Sequence, residues 1–151
     1  MTKEEQNAVV RIAKSWIGTP YIGWASIRGP KGGTDCGQLL RMVYQEAQLI
    51  PQGDLGIDPS YSLQVAQHRA DTTYFNLVEQ FTHEITEEEV QPGDIVLFLI
   101  GHAYAHGGIV TEWPRIVHAL AHGGVREVDV TKHPKLMTVT RKIMTLNDDR
   151  G

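Results

Sequence analysis

Apolar residues recur at helical spacing near the start of the chain. Val9, Val10, Ile12, Ala13, Trp16 and Ile17 form one stripe that predicts an amphipathic helix. Thr2 and Glu5 precede the stripe with capping-box spacing, and Gly18 marks its end. A second stripe, Leu39, Leu40, Val43, Tyr44 and Ala47, predicts another helix, with Asp35 as N-cap and Gln38 at the capping-box position. Between the two helices, Gly23, Gly29, Pro30, Gly32 and Gly33 make the stretch from Ile22 to Thr34 a loop. Pro51, Gly53, Gly56 and Pro59 mark a further irregular connection, and a third, less regular helix is expected from about Ser62 to Gln80.

The pattern changes at Pro92. Ile95 to Ile100 is a continuous apolar run, as expected of a strand buried on both faces. Gly101 to Ala105 reads as a turn, Gly108 to Glu112 as a strand, Trp113-Pro114 as a turn and Arg115 to Leu120 as another strand. Ala121 to Gly124 reverses the chain into Val125 to Val130, whose alternation fits a half-exposed strand, and a last strand or short helix is expected from Leu136 to Ile143. Helices first and an antiparallel meander afterwards is an α+β arrangement, N-terminal helices packed on a C-terminal antiparallel sheet.

The 151 residues suit one domain spanning 1–151. A net charge of -4, with no basic cluster interleaved with aromatics, disfavours nucleic-acid binding. The N-terminus lacks the basic and apolar regions of a signal peptide, and no apolar run is long enough to span a membrane. Synthesis in the cytoplasm and no membrane partner are the expectations.

The chain holds one cysteine, Cys36, so neither an internal disulfide nor a thiolate-rich metal site is available to it. A lone cysteine is ordinarily a small buried hydrophobe. Cys36, however, falls at the predicted first position of the second helix, where free backbone N–H groups and the helix dipole favour a thiolate. A nucleophile needs a base, and seven histidines are present. His68, His83 and His133 read as surface residues. His106 opens the strand Gly107-Gly108-Ile109-Val110, and His118 lies inside the apolar strand Ile116 to Leu120, where a buried ring needs a partner. If these strands are antiparallel neighbours, the two rings meet as base and orienter for Cys36. A zinc site from His102, His106, His118 and His122 is the alternative. The glycines at 101, 107, 123 and 124 argue against the helix that i,i+4 ligands would require, so no metal and no cofactor are expected.

Four motifs in order, Gly18-Thr19-Pro20-Tyr21 ahead of Asp35-Cys36-Gly37, Pro92 to Phe98, His106 to Val110, and Val117-His118-Ala119, resemble the NlpC/P60 family of papain-like cysteine peptidases. The resemblance runs from about Val10 to Val130. It is closest to a phage-encoded branch of tail-associated cell-wall peptidases, which is similar at Tyr61-Ser62, His68-Arg69, Thr111-Glu112-Trp113-Pro114 and Gly124-Val125. The resemblance implies a papain-like fold and hydrolysis of peptidoglycan peptide stems at the bond joining D-γ-glutamyl to a diamino acid. Phage tail proteins are implied as partners, and the virion as a location. It further implies Cys36 as nucleophile, His106 as base, His118 as third member of a Cys-His-His triad, and Tyr21 as an oxyanion contact. Asp35 would hold a substrate amine. Most members read Asp-Cys-Ser-Gly; here Gly37 follows the cysteine, and the hydroxyl that lines the substrate cleft is absent. A vestigial tail-assembly protein, and an acyltransferase or amidase with another substrate, are the competing readings.

Overall fold

In a computed structural model of the protein, residues 1–53 and 78–148 are described. The helix α1 runs Lys3–Ser15, with the Thr2–Glu5 capping box formed in both directions and Val9, Ile12 and Ala13 buried. The loop that follows contains a two-residue hairpin, β1 (Ser26–Ile27) and β2 (Gly33–Thr34). Helix α2, Cys36–Glu46, begins at the N-cap Asp35 and buries Leu39, Leu40, Val43 and Tyr44. Only half of its expected capping box exists: Asp35 accepts from the Gln38 N–H, while the Gln38 side chain accepts from Arg41 Nε instead of reaching back. Most of the third helix expected at 62–80 lies outside the described residues; its described end is helical through residue 81.

Six strands follow in one antiparallel sheet: β3 (Thr82–Ile85), β4 (Ile95–Ile100), β5 (Ala103–Glu112), β6 (Arg115–Leu120), β7 (Gly124–Asp129) and β8 (Arg141–Leu146), in spatial order β3-β8-β4-β5-β6-β7. The expected α+β arrangement is thus present. β5 starts earlier than its sequence predicts because the stretch read as a turn pairs with β4 as far as Ala103. The last strand falls at 141–146, later than expected, because Leu136 and Val139 instead pack against one face of the sheet.

The sheet is coated on both sides, as the unbroken apolar run of β4 requires. Ile95 and Leu97 join Ile109, Val117 and the two helices in one core; Val96 and Phe98 join Val110, Ile116, Val130 and Leu136 in a second. Tyr44 of α2 donates to the Gly93 carbonyl at 2.5 Å, which fixes the helix to the turn that launches β4. Leu97 is 0% exposed at the centre of the helix-side core. Leu97→Ala should therefore cost about 2–5 kcal/mol of stability, measured by urea unfolding, with little loss of secondary structure. A cost under about 1 kcal/mol would mean that the helices do not pack there as described.

Candidate active site

Cys36 is the first residue of α2 and is partly exposed. Its backbone position is set by Asp35, which is 1% exposed and uses both carboxylate oxygens on the main chain. Oδ1 accepts from the Gln38 N–H at 2.8 Å, and Oδ2 accepts from the Trp24 N–H at 2.7 Å. One side chain therefore caps the helix and holds the preceding loop over its N-terminus. Trp24 has a φ of 65°, unusual for a large side chain, and remains 45% exposed. Ile22 and Ile27, on the same loop, are also exposed. Gly37 is buried in the first turn of α2.

The strand opposite is adapted to this helix. In the β4–β5 pairing Phe98 faces His106 and Leu99 faces Tyr104, which leaves Ala105 as an extra, bulged residue. Its freed carbonyl accepts from the Cys36 thiol, Sγ to O 3.8 Å, and the following side chain is His106. The bulge is therefore what brings β5 to the cysteine.

His106 Nε2 and His118 Nδ1 are 2.9 Å apart, the ring centroids 5.1 Å apart and nearly edge-to-face at 69°. The residue directly across from His118 is Gly108. A Cβ at Gly108 would come within 3.2 Å of the His118 Cβ, 3.0 Å of the Val117 carbonyl and 2.8 Å of Ile116 Cδ1, so the missing side chain is what seats His118 against its neighbours. Phe98 flanks His106 with ring centroids 5.8 Å apart. His118 is wholly buried, and His106 keeps some exposure although its ring lies deep among protein atoms.

Desolvation controls both imidazoles. Burial, assisted by the neighbouring His133, pushes His106 down to about 4. Burial, then His106 and His133, pushes His118 down to about 3. Both rings are neutral at pH 7, and two neutral rings share one proton across their contact. If His106 donates through Nε2–H to His118 Nδ1, its Nδ1 carries a lone pair free to take a proton. Depression of the His118 pKa keeps that acceptor unprotonated. Tyr21 is half-buried and bridges to Thr34 just before the cysteine. Burial, then the charges of Cys36 and Asp35, raise its pKa, so the phenol keeps its proton and remains a donor.

These shifts predict an acid-dependent stability. The folded rings titrate below an unfolded histidine, near 6.5, so they bind fewer protons than the unfolded chain between about pH 6.5 and 3. Their contribution is complete above pH 6.5 and is lost as pH falls through about 4. The urea midpoint should fall more steeply over pH 6.5–4 in wild type than in His118→Gln. Parallel profiles would contradict burial of a neutral His118.

His83 sits exposed on β3 beside Asn147, 2.8 Å from ring to amide, and His102 and His122 are exposed. His68 lies outside the described residues. Among the described residues no group of three or more His, Cys, Asp or Glu side chains could hold a metal ion, and no described helix is long and apolar enough to cross a membrane. His133, which reads as a surface residue in the sequence, sets its ring edge-on to His118 with centroids 5.7 Å apart. Nothing local marks it, because the contact arises only after the chain folds back beyond β7.

A family model described as the NlpC/P60 family matches residues 18–144. Among curated proteins, no sequence matches the chain. Solved structures are similar in fold. The NlpC/p60 domain of the peptidoglycan hydrolase SagA aligns with a TM-score of 0.60 at 19% identity, over 91% of this chain and 97% of that one. The peptidoglycan hydrolase RipB of Mycobacterium tuberculosis aligns with a TM-score of 0.62 at 17% identity, over 96% and 66%. RipD of the same organism, described as a non-catalytic NlpC/p60 domain protein adapted to peptidoglycan binding, aligns with a TM-score of 0.60 at 10% identity, over 95% and 98%.

Proposed function

The chain belongs to the NlpC/P60 family, and on that premise we propose that it is a cysteine amidase that hydrolyses peptide stems of bacterial peptidoglycan. The observation that carries the reading is the row formed by Cys36, the bulged Ala105 beside His106, and the 2.9 Å contact from His106 to His118. A domain that only bound the wall would have no need for a buried histidine pair aligned behind a helix-start thiol.

In this mechanism the Cys36 sulfur attacks the amide carbonyl carbon as its proton passes to His106. The new imidazolium donates through Nε2 to His118 Nδ1, which stays neutral and holds the ring in place. The oxyanion is met by the Cys36 backbone N–H at the start of α2 and by the Tyr21 hydroxyl, which burial keeps protonated. His106 then gives its proton to the leaving amine nitrogen as the C–N bond breaks. Water, deprotonated by His106, cleaves the thioester, releasing a carboxylic acid and restoring the thiol.

The scissile bond in this proposal joins D-γ-glutamyl to a diamino acid. For Asp35 to hold the substrate amine, its carboxylate, 1% exposed and bonded through both oxygens to main-chain N–H groups, takes a further donor, and Gly37 stands where most of the family has a serine. We assign the protein to phage tails on the strength of the motifs at Thr111-Glu112-Trp113-Pro114 and Gly124-Val125. Immunodetection in purified virions tests that assignment, and a protein absent from virions ends it. The activity itself is tested on purified peptidoglycan sacculi: new free amino groups should appear with time. Tight sacculus binding without amine release would favour a purely binding role like that described for RipD.

A further inference from the structure

Beside His118 lies an open groove of roughly 360 Å³ between β6, β7 and the segment after β7. Its lining includes His118, His122, Arg126, Val128, His133 and Lys135, and no lining residue is acidic. Arg126 stands directly across the strand pair from His118, so the two side chains share a face. Its Nε donates to the Gly123 carbonyl at 3.1 Å, which orients the guanidinium, and it makes no ion pair among the described residues. The nearest acids on β7 are engaged elsewhere. Glu127 accepts from the Thr111 hydroxyl at 2.5 Å, and Asp129 caps the next turn through Thr131.

Two of the imidazoles that line the groove present N–H donors. His133 Nδ1 accepts from the Lys135 backbone N–H at 3.2 Å, so the neutral ring carries its proton on Nε2. When His118 Nδ1 accepts from His106, the His118 proton is likewise on Nε2, and that atom is buried with no partner among the described residues. A buried donor without an acceptor is costly, and here it belongs to a side chain that lines a basic groove. A guanidinium, an ammonium and two imidazole N–H groups without an opposing carboxylate match an anion, and the anionic group that a peptide carries is a carboxylate.

We propose that this groove is a carboxylate subsite, anchored by Arg126, for the leaving-amine half of a peptide substrate. The proposal rests on the amidase reading of Cys36 and His106. His106 hands its proton to the leaving amine, so the leaving portion lies on the imidazole side of the cleft. The centroid spacings of 5.1 Å from His106 to His118 and 5.7 Å from His118 to His133 set the distance along the row. At about 3.5 Å per extended residue, a carboxylate within two or three residues of the scissile nitrogen reaches the groove. The free acid groups of a diamino acid, or of the residue after it, meet that condition.

The test uses Cys36→Ala protein and two synthetic stem peptides that differ only in whether the carboxylates of the leaving half are free or amidated. The free acid should bind about tenfold more tightly, and adding Arg126→Gln should erase the difference. In the active enzyme, Arg126→Gln should raise KM for the free acid about tenfold, with kcat within twofold and the amidated peptide unaffected. Equal binding of both peptides to the Cys36→Ala protein, or no saturable binding of either, overturns the subsite. Discrimination that disappears with Arg126→Gln, in a protein that hydrolyses neither peptide, would uphold the subsite and remove the amidase reading. Hydrolysis without discrimination would do the reverse.

Discussion

Replacing Cys36 with alanine should lower stem-peptide hydrolysis by a factor of about 10⁴ or more while leaving the melting temperature within about 2 °C of wild type. The size follows from the mechanism: without the sulfur no thioester forms, and His106 and the oxyanion donors alone give only residual catalysis. The small thermal effect follows from the position. Cys36 is partly exposed at the start of α2, and the cap that secures that helix comes from Asp35, not from the thiol. Assays of amine release and a thermal melt on the same preparation read both quantities. Activity within tenfold of wild type would remove Cys36 from the mechanism.

His106→Ala should cost about 10³-fold or more in kcat/KM, since it removes both the acceptor of the thiol proton and the donor to the leaving amine. His118→Ala should cost less, about 10–100-fold, because it orients the base and touches none of the reacting atoms. His118→Asn, which can still offer an acceptor to His106 Nε2, should recover part of that loss. This ordering distinguishes base from positioning residue: a neutral ring at 118 can accept, as its depressed pKa requires, but need not titrate during turnover. A His118→Ala loss equal to that of His106→Ala, without recovery by asparagine, would contradict the assigned roles.

Much of this site is legible in the sequence because its parts are local. The N-cap and apolar stripe place Cys36 at a helix start, and the β6 boundaries follow from its apolar run between turn residues. The fold class follows in the same way, from helical periodicity giving way to strand patterns at Pro92. What escaped depends on contacts distant in sequence. The bulge at Ala105 arises from pairing with β4, and Gly101 to Ala105 by itself carries only turn signals. The edge strand β3, Thr-His-Glu-Ile, is too short and polar to announce itself. Leu136 reads as the start of a strand or short helix because it is apolar, yet it packs as a cover on the second core. His133 reads as a surface histidine beside a proline, and only the return of the chain after β7 sets it against His118.

The central claim is that Cys36 becomes acylated by a peptidoglycan stem. Intact-mass spectrometry of the protein, quenched in acid during turnover of a defined stem peptide, tests it most directly. A transient mass increase equal to the acyl half of the peptide should appear, mapped to Cys36 after digestion and absent in Cys36→Ala. Product formation with no adduct on Cys36, or an adduct on another residue, would contradict it.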